Sequence, residues 1–328
     1  MHVVYLEPVP PEVEAIIREC LPAGFTLRVR RADESPVDVV GEADFILVAT
    51  TPLTAHVISA APRLKLIQHQ GVGYDNVDVA AASQAGIPVG LTPEGTTKPV
   101  AEFVFLLILS LYRKLCVANQ AMRQGQWLQW QLRPQSYNLM GKRLGIVGLG
   151  RIGREVARRA KAFECHLAYY DVVRAPVGVE AELGIDYVPL DELLASSDII
   201  TLHVPRTGQT RGMIGAPQLA RMKPTALLIN TARGGLVDEG ALYQALTKGQ
   251  IAGAGLDVFA LEPPGADNPL LHLDQVVATP HIAAGTRDAL ADKMRAAFAN
   301  MQRVAEGQPP VNQVPYIQSP NKYKENPA

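Results

Sequence analysis

The sequence predicts an α/β protein of two domains built on parallel sheets, and three observations carry that prediction. The chain has 328 residues, and at roughly 150 residues per domain that length holds about two. Short apolar runs alternate with segments of helical period from end to end, the pattern of βαβ units whose strands run parallel under a cover of helices. One of those runs, Arg143–Val147, leads directly into Gly148-Leu149-Gly150-Arg151-Ile152-Gly153 and then into an amphipathic segment, the local order of a turn that holds phosphate.

The first strand is expected at His2–Leu6, and the Glu7 and prolines that follow it deny the N-terminus a signal-peptide core. Further strands are expected at Phe45–Thr50, Leu64–His69, Arg143–Val147, His166–Tyr170, Ile199–Val204, Ala226–Asn230, Ile251–Val258 and Val276–Ala278. A helix over Val100–Leu115 starts after Pro99, whose missing N–H costs nothing in a first turn. Its most apolar part, Val104–Leu111, lies between Glu102 and Arg113-Lys114 and falls far short of the roughly 20 residues that span a bilayer. A buried helix and no membrane partner are therefore expected. A second helix over Arg151–Phe163 sets Ile152, Val156, Ala160 and Phe163 along one face that can pack on a sheet. No repeat of fixed period is visible, and the proline-rich tail 308–328 reads as a terminal wrap or loose end.

Charge and cysteine content narrow the function classes. Lys plus Arg number 31 against 32 Asp plus Glu, for a net charge of −1, so nothing favours a polyanion and no nucleic-acid partner is expected. Cys20, Cys116 and Cys165 are odd in number and form no C-x-x-C pair. That supports neither a disulfide framework nor a zinc knuckle, and suits a reducing, cytoplasmic compartment with no bound metal.

The glycine turn carries the first chemical reading. Gly148 would make the tight turn, Gly150 would let a pyrophosphate approach the backbone, and Gly153 would let helix and strand close up, with the helix N-terminus facing the anion. Asp171 ends the next strand, where a carboxylate can accept hydrogen bonds from the adenosine ribose of NAD and would repel the extra phosphate of NADP. Arg174 follows closely and could in principle meet that phosphate. NAD is the expected cofactor, with NADP the weaker alternative.

Three candidates for acid–base and substrate chemistry follow at the ends of later strands: Arg233, Glu262 and His281. An arginine fork grips a carboxylate and can polarise a neighbouring carbonyl. A histidine passes a proton near neutral pH, and an adjacent glutamate stabilises its imidazolium form. Each also has a plain alternative: Arg233 could cap a strand end, Glu262 could be a solvated acid before Pro263-Pro264, and His281 could be a satisfied core histidine. Spacing along the chain does not show that the three meet.

From about Ala43 to Asn312 the chain resembles the D-isomer-specific 2-hydroxyacid dehydrogenases. The residues that carry the resemblance are Gly71-Val72-Gly73-Tyr74-Asp75-Asn76-Val77-Asp78, Val100-Ala101-Glu102, the Gly148–Gly153 turn, Asn230–Glu239, Asp257–Pro263 and Thr279-Pro280-His281. The resemblance implies a Rossmann NAD-binding domain, about 99–285, inserted into a flavodoxin-like substrate domain made of 1–98 and 286–328, with the active site in the cleft between them. It implies hydride transfer between nicotinamide and C2 of a 2-keto or 2-hydroxy acid. Arg233 then looks like the substrate-binding arginine, His281 like the proton donor, and Glu262 like its carboxylate partner, while the backbone of Val72 and Gly73 would hold the substrate carboxylate.

The same resemblance puts Arg151 and Ile152 under the pyrophosphate, Val204 and Pro205 beside the adenine, and Asp257 near the nicotinamide carboxamide. It adds Thr231, Ala232 and Ala284, together with Arg233 and His281, to the cofactor site. His203 is expected to be structural. A homodimer is implied, with the helix from Pro99 at its interface; Trp127 and Trp130 are expected to pack in the core, or otherwise to line the partner's pocket.

Relatives that handle phosphoglycerate tend to carry arginine where Val48 and His69 align, and no C-terminal regulatory domain is evident here, so a small unphosphorylated acid is expected. Glu164 stands where many relatives have glycine. The competing class is an NAD(H)-sensing, corepressor-like interaction protein, because corepressors similar to this family keep the same arginine, glutamate and histidine. Against it, no long regulatory tail or peptide-recruiting extension is visible.

Overall fold

A computed structural model describes residues 1–316, in two compact units: residues 1–96 with the segment from Thr286, and residues 97–285. The remainder of the proline-rich tail, 317–328, lies outside the described residues.

The first unit is a five-stranded parallel sheet of β1 (His2–Tyr5), β2 (Thr26–Val29), β3 (Phe45–Val48), β4 (Leu66–His69) and β5 (Val89–Leu91), in the order β2-β1-β3-β4-β5. β3 and β4 are buried along their whole length, which is why they read as unbroken apolar runs rather than as alternations. The helix Arg287–Ala305 lays Met294, Ala297, Phe298 and Met301 against Tyr5, Phe45, Leu47 and Leu66. That is an i, i+3, i+4, i+7 stripe meeting one face of the sheet. The chain then returns along β5, where Leu91 N–H donates to Asn312 O and Val314 N–H to Val89 O.

Strand order reverses between β1 and β3, and the carboxylate of Glu7 fills that point. Its Oε1 accepts the N–H groups of Ala49, Thr50 and Thr51, each at 2.9 Å, and its Oε2 accepts the two threonine hydroxyls. Burial works against its charge, but the backbone donors outweigh it and hold Glu7 below the usual carboxylate range. Asn76 ties this turn to the segment after β4, donating to Ala49 O and Thr51 O while its Oδ1 lies 3.1 Å from His69 Nε2.

The second unit is a seven-stranded parallel sheet of β6 (Arg143–Val147), β7 (His166–Tyr170), β8 (Ile185–Tyr187), β9 (Ile199–Leu202), β10 (Leu227–Asn230), β11 (Gly253–Leu256) and β12 (Val276–Ala278). Their order is β12-β11-β10-β9-β6-β7-β8. The first strand lies inside, the next two run to one side and the rest to the other, which is the doubly wound order with one strand added. Leu107, Ile108, Val156 and Ala160, from the helices Thr97–Tyr112 and Arg151–Ala162, share one buried cluster with Ile146 and Tyr169. Leu193, Leu194, Leu219, Leu242 and Leu246 build a second cluster with Ile200, Leu228 and Leu256. Helices thus cover both faces.

Three strands, β2, β5 and β8, escape the sequence reading, and all three are short edges of their sheets. At three or four residues, Thr-Leu-Arg-Val, Val-Gly-Leu and Ile-Asp-Tyr are too short to show a clear period. The long apolar helix runs Thr97–Tyr112 rather than to Leu115, because Lys114 takes a left-handed conformation (φ 52°) and a new helix starts at Leu115. The expected core packing of Trp127 and Trp130 is not found: the two side chains are 70% and 66% exposed. They follow the helix Leu115–Arg123, which buries only Ala121, so no apolar face is on hand to cover them.

Glu164, in the turn between the helix Arg151–Ala162 and β7, also has positive φ (57°). An L side chain in that region costs about 1 kcal/mol, of which a glycine returns part to the entropy of the unfolded chain. Glu164→Gly should therefore stabilise the fold by about 0.5 kcal/mol and raise Tm by roughly 1–2 °C. A fall in Tm on thermal unfolding would show that the side chain's own contacts outweigh the strain.

Candidate active site

The turn after β6 is built by two glycines that cannot be anything else and one that need not be. A Cβ on Gly148 would stand 2.7 Å from His203 O, and one on Gly153 would stand 2.2 Å from Gly148 O. Around Gly150, by contrast, nothing lies within 4 Å of the Cβ position. Open space therefore sits over the backbone at the N-terminus of a 12-residue helix, where N–H groups and the helix dipole favour an anion. Arg151 is exposed and Ile152 half-buried at that helix start. Val204 flanks Gly148, its Cγ1 lying 2.8 Å from that residue's Cβ position, and Pro205 follows it at the surface.

Asp171 braces the same turn, its Oδ2 accepting Leu149 N–H at 2.8 Å, a bond that engages one of its two oxygens. Arg174 is engaged elsewhere, in a two-point ion pair with Glu180. At the end of β10, the buried Thr231 Oγ1 has no hydrogen-bond partner among the described residues. A glycine cradle opening onto a helix start, a half-committed acid and an orphaned hydroxyl together fit a dinucleotide. His203, expected to be structural, meets Thr201 Oγ1 at 3.0 Å, and burial pushes it down to about 3.

The three chemical candidates come from loops that the chain holds together in unit two. Asn230 folds the first of them, donating to Arg233 O and accepting Ala232 N–H. A Cβ on Gly234 would lie 1.7 Å from Phe259 O, so only glycine lets the Arg233 loop close onto the loop that carries Glu262. Glu239 fastens the same contact from the other side, taking Ala260 N–H and the side chain of Asn268. Glu262 Oε1 accepts Phe259 N–H at 2.9 Å, and its Oε2 meets His281 Nδ1 at 2.7 Å. Burial disfavours charge on Glu262, yet His281, the Phe259 N–H and the positive charge of Arg233 prevail and hold it below the usual range.

His281 has positive φ (51°), a conformation that persists only where the surroundings over-determine it. The buried Asp257 does so. Its Oδ1 accepts the Thr279 hydroxyl and Ile282 N–H, its Oδ2 accepts Ala283 N–H, and its own carbonyl accepts His281 N–H at 2.8 Å. Burial raises Asp257 above the usual carboxylate range, a push that Thr279 and the two N–H donors only partly offset. Ala284 continues this turn, half-buried. The turn-forming work of Asp257, Gly234 and Glu239 is absent from the sequence reading. A glycine pair after an arginine was the one available sign of the close approach.

Val72 and Gly73 lie in the first unit, in the segment after β4, where Gly71 has φ 148° and its carbonyl accepts Thr92 N–H.

Residues 105–283 match the family described as D-isomer specific 2-hydroxyacid dehydrogenase, NAD binding domain. The chain is also 43% identical to a glyoxylate reductase of Korarchaeum cryptofilum, over 86% of its own length and 87% of that protein's. The chain belongs to the D-isomer specific 2-hydroxyacid dehydrogenase family. This dehydrogenase is an enzyme that uses NAD. It is 41% identical to a D-3-phosphoglycerate dehydrogenase of Archaeoglobus fulgidus, covering 96% of the chain but 59% of that longer protein. Its fold matches a D-lactate dehydrogenase of Aquifex aeolicus solved with NAD and lactic acid, at a TM-score of 0.82 and 33% identity, over 94% of the chain and 96% of that one. No described helix of the dehydrogenase is long and apolar enough to cross a membrane.

Asp257→Asn would turn an amide N–H2 towards N–H donors and leave at least one of them unsatisfied in a buried turn. The substitution should destabilise the dehydrogenase by about 2–3 kcal/mol and speed hydrogen exchange at Ile282 and Ala283. Equilibrium unfolding within about 0.5 kcal/mol of the parent would mean that the His281 turn does not depend on this carboxylate.

Proposed function

We propose that the enzyme interconverts a small, unphosphorylated 2-keto acid and its D-2-hydroxy acid, with His281 as the proton donor in reduction and Arg233 as the grip on the substrate. The observation that carries this reading is the 2.7 Å pair of His281 Nδ1 and Glu262 Oε2, on loops that Gly234 locks beside Arg233. With Nδ1 turned to an ionised carboxylate, Nε2 is the ring nitrogen left to work on substrate. In reduction the imidazolium gives its Nε2 proton to the carbonyl oxygen and is left neutral; in oxidation it takes that proton back. Glu262 favours the charged ring and fixes its orientation. Bound NADH supplies the hydride to C2, and NAD accepts it in the reverse direction.

Arg233 would pair with the substrate carboxylate and polarise the carbonyl beside it, and the backbone N–H groups of Val72 and Gly73 would complete the carboxylate's binding. For the cofactor, Gly148, Gly150, Arg151, Ile152 and Gly153 would hold the pyrophosphate, Asp171 the ribose, and Val204 with Pro205 the adenine side. Thr231, Ala232, Asp257 and Ala284 would surround the nicotinamide. Residues 97–285 would then be the NAD-binding domain and the first unit the substrate domain. Glyoxylate and hydroxypyruvate suit a site without a phosphate clamp: Val48 is apolar and fully buried, and His69 is turned to Asn76. Three free cysteines suit a cytoplasmic setting.

Reduction of glyoxylate, hydroxypyruvate, pyruvate and a bulkier keto acid, followed as NADH oxidation at neutral pH, tests the assignment. Arg233→Ala should lower kcat/KM on the preferred acid by about a hundredfold or more. His281→Ala should lower kcat by about 10²–10⁴ while the Kd for NADH changes less than about threefold. Near-normal kcat in His281→Ala would remove the proton-donor role, and tight NADH binding without turnover across the panel would remove the substrate class.

A homodimer belongs to the same proposal. Leu115, Met122, Trp127, Trp130 and Met140 are all more than half exposed along one stretch of chain, and exposed apolar surface on that scale marks a covered interface. A second copy of the chain would cover it. Sedimentation equilibrium should give a dimer for the parent and a shift towards monomer for Trp130→Asp; a parent that is monomeric at micromolar concentration would rule the dimer out.

A further inference from the structure

We propose that Glu180 sets the cofactor preference by holding Arg174 away from the ribose 2′ position, so that the cation best placed for the extra phosphate of NADP is withheld from it. The inference rests on the proposed role of Asp171 and deepens it.

Arg174 follows the strand-end acid in the segment where an arginine commonly accommodates a 2′-phosphate. Nothing apolar restrains that segment, since Val172 and Val173 are both largely exposed. What restrains Arg174 is a latch. Its Nε donates to Glu180 Oε1 and its terminal N–H2 to Glu180 Oε2, both at 2.9 Å. The guanidinium also lies 5.5 Å over the Tyr187 ring. Glu180, on the helix Val177–Leu183, is itself fixed: its side chain is only 11% exposed and accepts the Tyr169 hydroxyl at 2.6 Å. That hydroxyl in turn accepts Ala175 N–H.

The two halves of the latch differ in consequence. Arg174 is mostly exposed and could swing out, as exposed ion pairs do at little cost. Glu180 cannot follow it. A bound 2′-phosphate would therefore compete for the guanidinium against a planar, two-point carboxylate, and winning it would leave a shielded carboxylate with the Tyr169 hydroxyl alone. NAD makes no such demand. The preference thus has two parts, repulsion by Asp171 and sequestration by Glu180, and the second is specific to this arrangement of Tyr169, Arg174, Glu180 and Tyr187.

Direct titration of the purified enzyme with NADH and with NADPH, read by calorimetry so that no turnover is needed, separates the parts. In an Asp171→Ser background, Glu180→Gln should lower the Kd for NADPH a further five- to tenfold, at about 1.4 kcal/mol per tenfold. The Kd for NADH should move less than about twofold, and adding Arg174→Ala should cancel the gain. With Glu180 native, Arg174→Ala alone should change the NADPH Kd less than about twofold; a loss of about tenfold there would show Arg174 already gripping the phosphate and would overturn the latch. No gain from Glu180→Gln in that background would overturn it as well, even where Asp171→Ser narrows the NADPH-to-NADH ratio. A flat ratio in Asp171→Ser alone counts against Asp171 instead, and an Arg174-dependent gain from Glu180→Gln would still support the latch.

Discussion

The candidate site depends above all on one buried carboxylate. Asp257 has no exposed surface and accepts three donors, and its own carbonyl takes a fourth, the N–H of His281. Those bonds turn the chain after β12 so sharply that His281 adopts a positive φ, and they aim its ring at Glu262 rather than into the sheet. Burying a carboxylate is costly, and the raised position of Asp257 expresses that cost. The fold bears it because no neutral side chain of that size accepts so many donors at once. The Asp257 carbonyl takes His281 N–H and Gly234 closes on Phe259 O, so the histidine and the arginine loop both rest on the segment 257–262 that carries Glu262.

How much of this the sequence discloses depends on the kind of signal. Central strands such as β3, β6, β9 and β10 are buried on both faces, and a continuous apolar run is hard to misread. β2, β5 and β8 are only three or four residues long, and they leave no period to find. The glycine turn was legible because its spacing is local: strand, three glycines, helix and acid lie within 30 residues of one another. The union of Arg233, Glu262 and His281 was not, since it arises from long-range contacts that no spacing encodes. The Cβ-forbidding approach of Gly234 to Phe259 O is such a contact, and in the sequence it is one glycine among 27. Resemblance supplied the roles; only the fold supplies the reason that the residues meet.

The tryptophans make the same point in reverse. A large apolar side chain is usually buried, so core packing was the default for Trp127 and Trp130. Burial, however, requires a neighbouring apolar face, and the helix Leu115–Arg123 before them contributes only Ala121 to the interior. The segment 113–140 instead collects exposed leucine, methionine and tryptophan. A single chain leaves that surface wet, which is the physical case for a second copy.

The two carboxylates flanking His281 divide the labour through opposite environments. Both are disfavoured by burial, both receive hydrogen bonds and both feel His281, but only Glu262 bonds the His281 ring itself and also feels Arg233, and it alone falls below the usual range. Asp257 turns its oxygens to backbone and hydroxyl donors, so it orients the turn rather than the ring. Glu262 uses one oxygen to hold its own loop through Phe259 N–H and turns the other to His281 Nδ1. In the proposed mechanism an acid held ionised at Nδ1 leaves Nε2 as the nitrogen that exchanges the proton. The acid that shapes the turn and the acid that meets the ring thus stand five residues apart on one loop, and the proposed proton transfer at His281 draws on both.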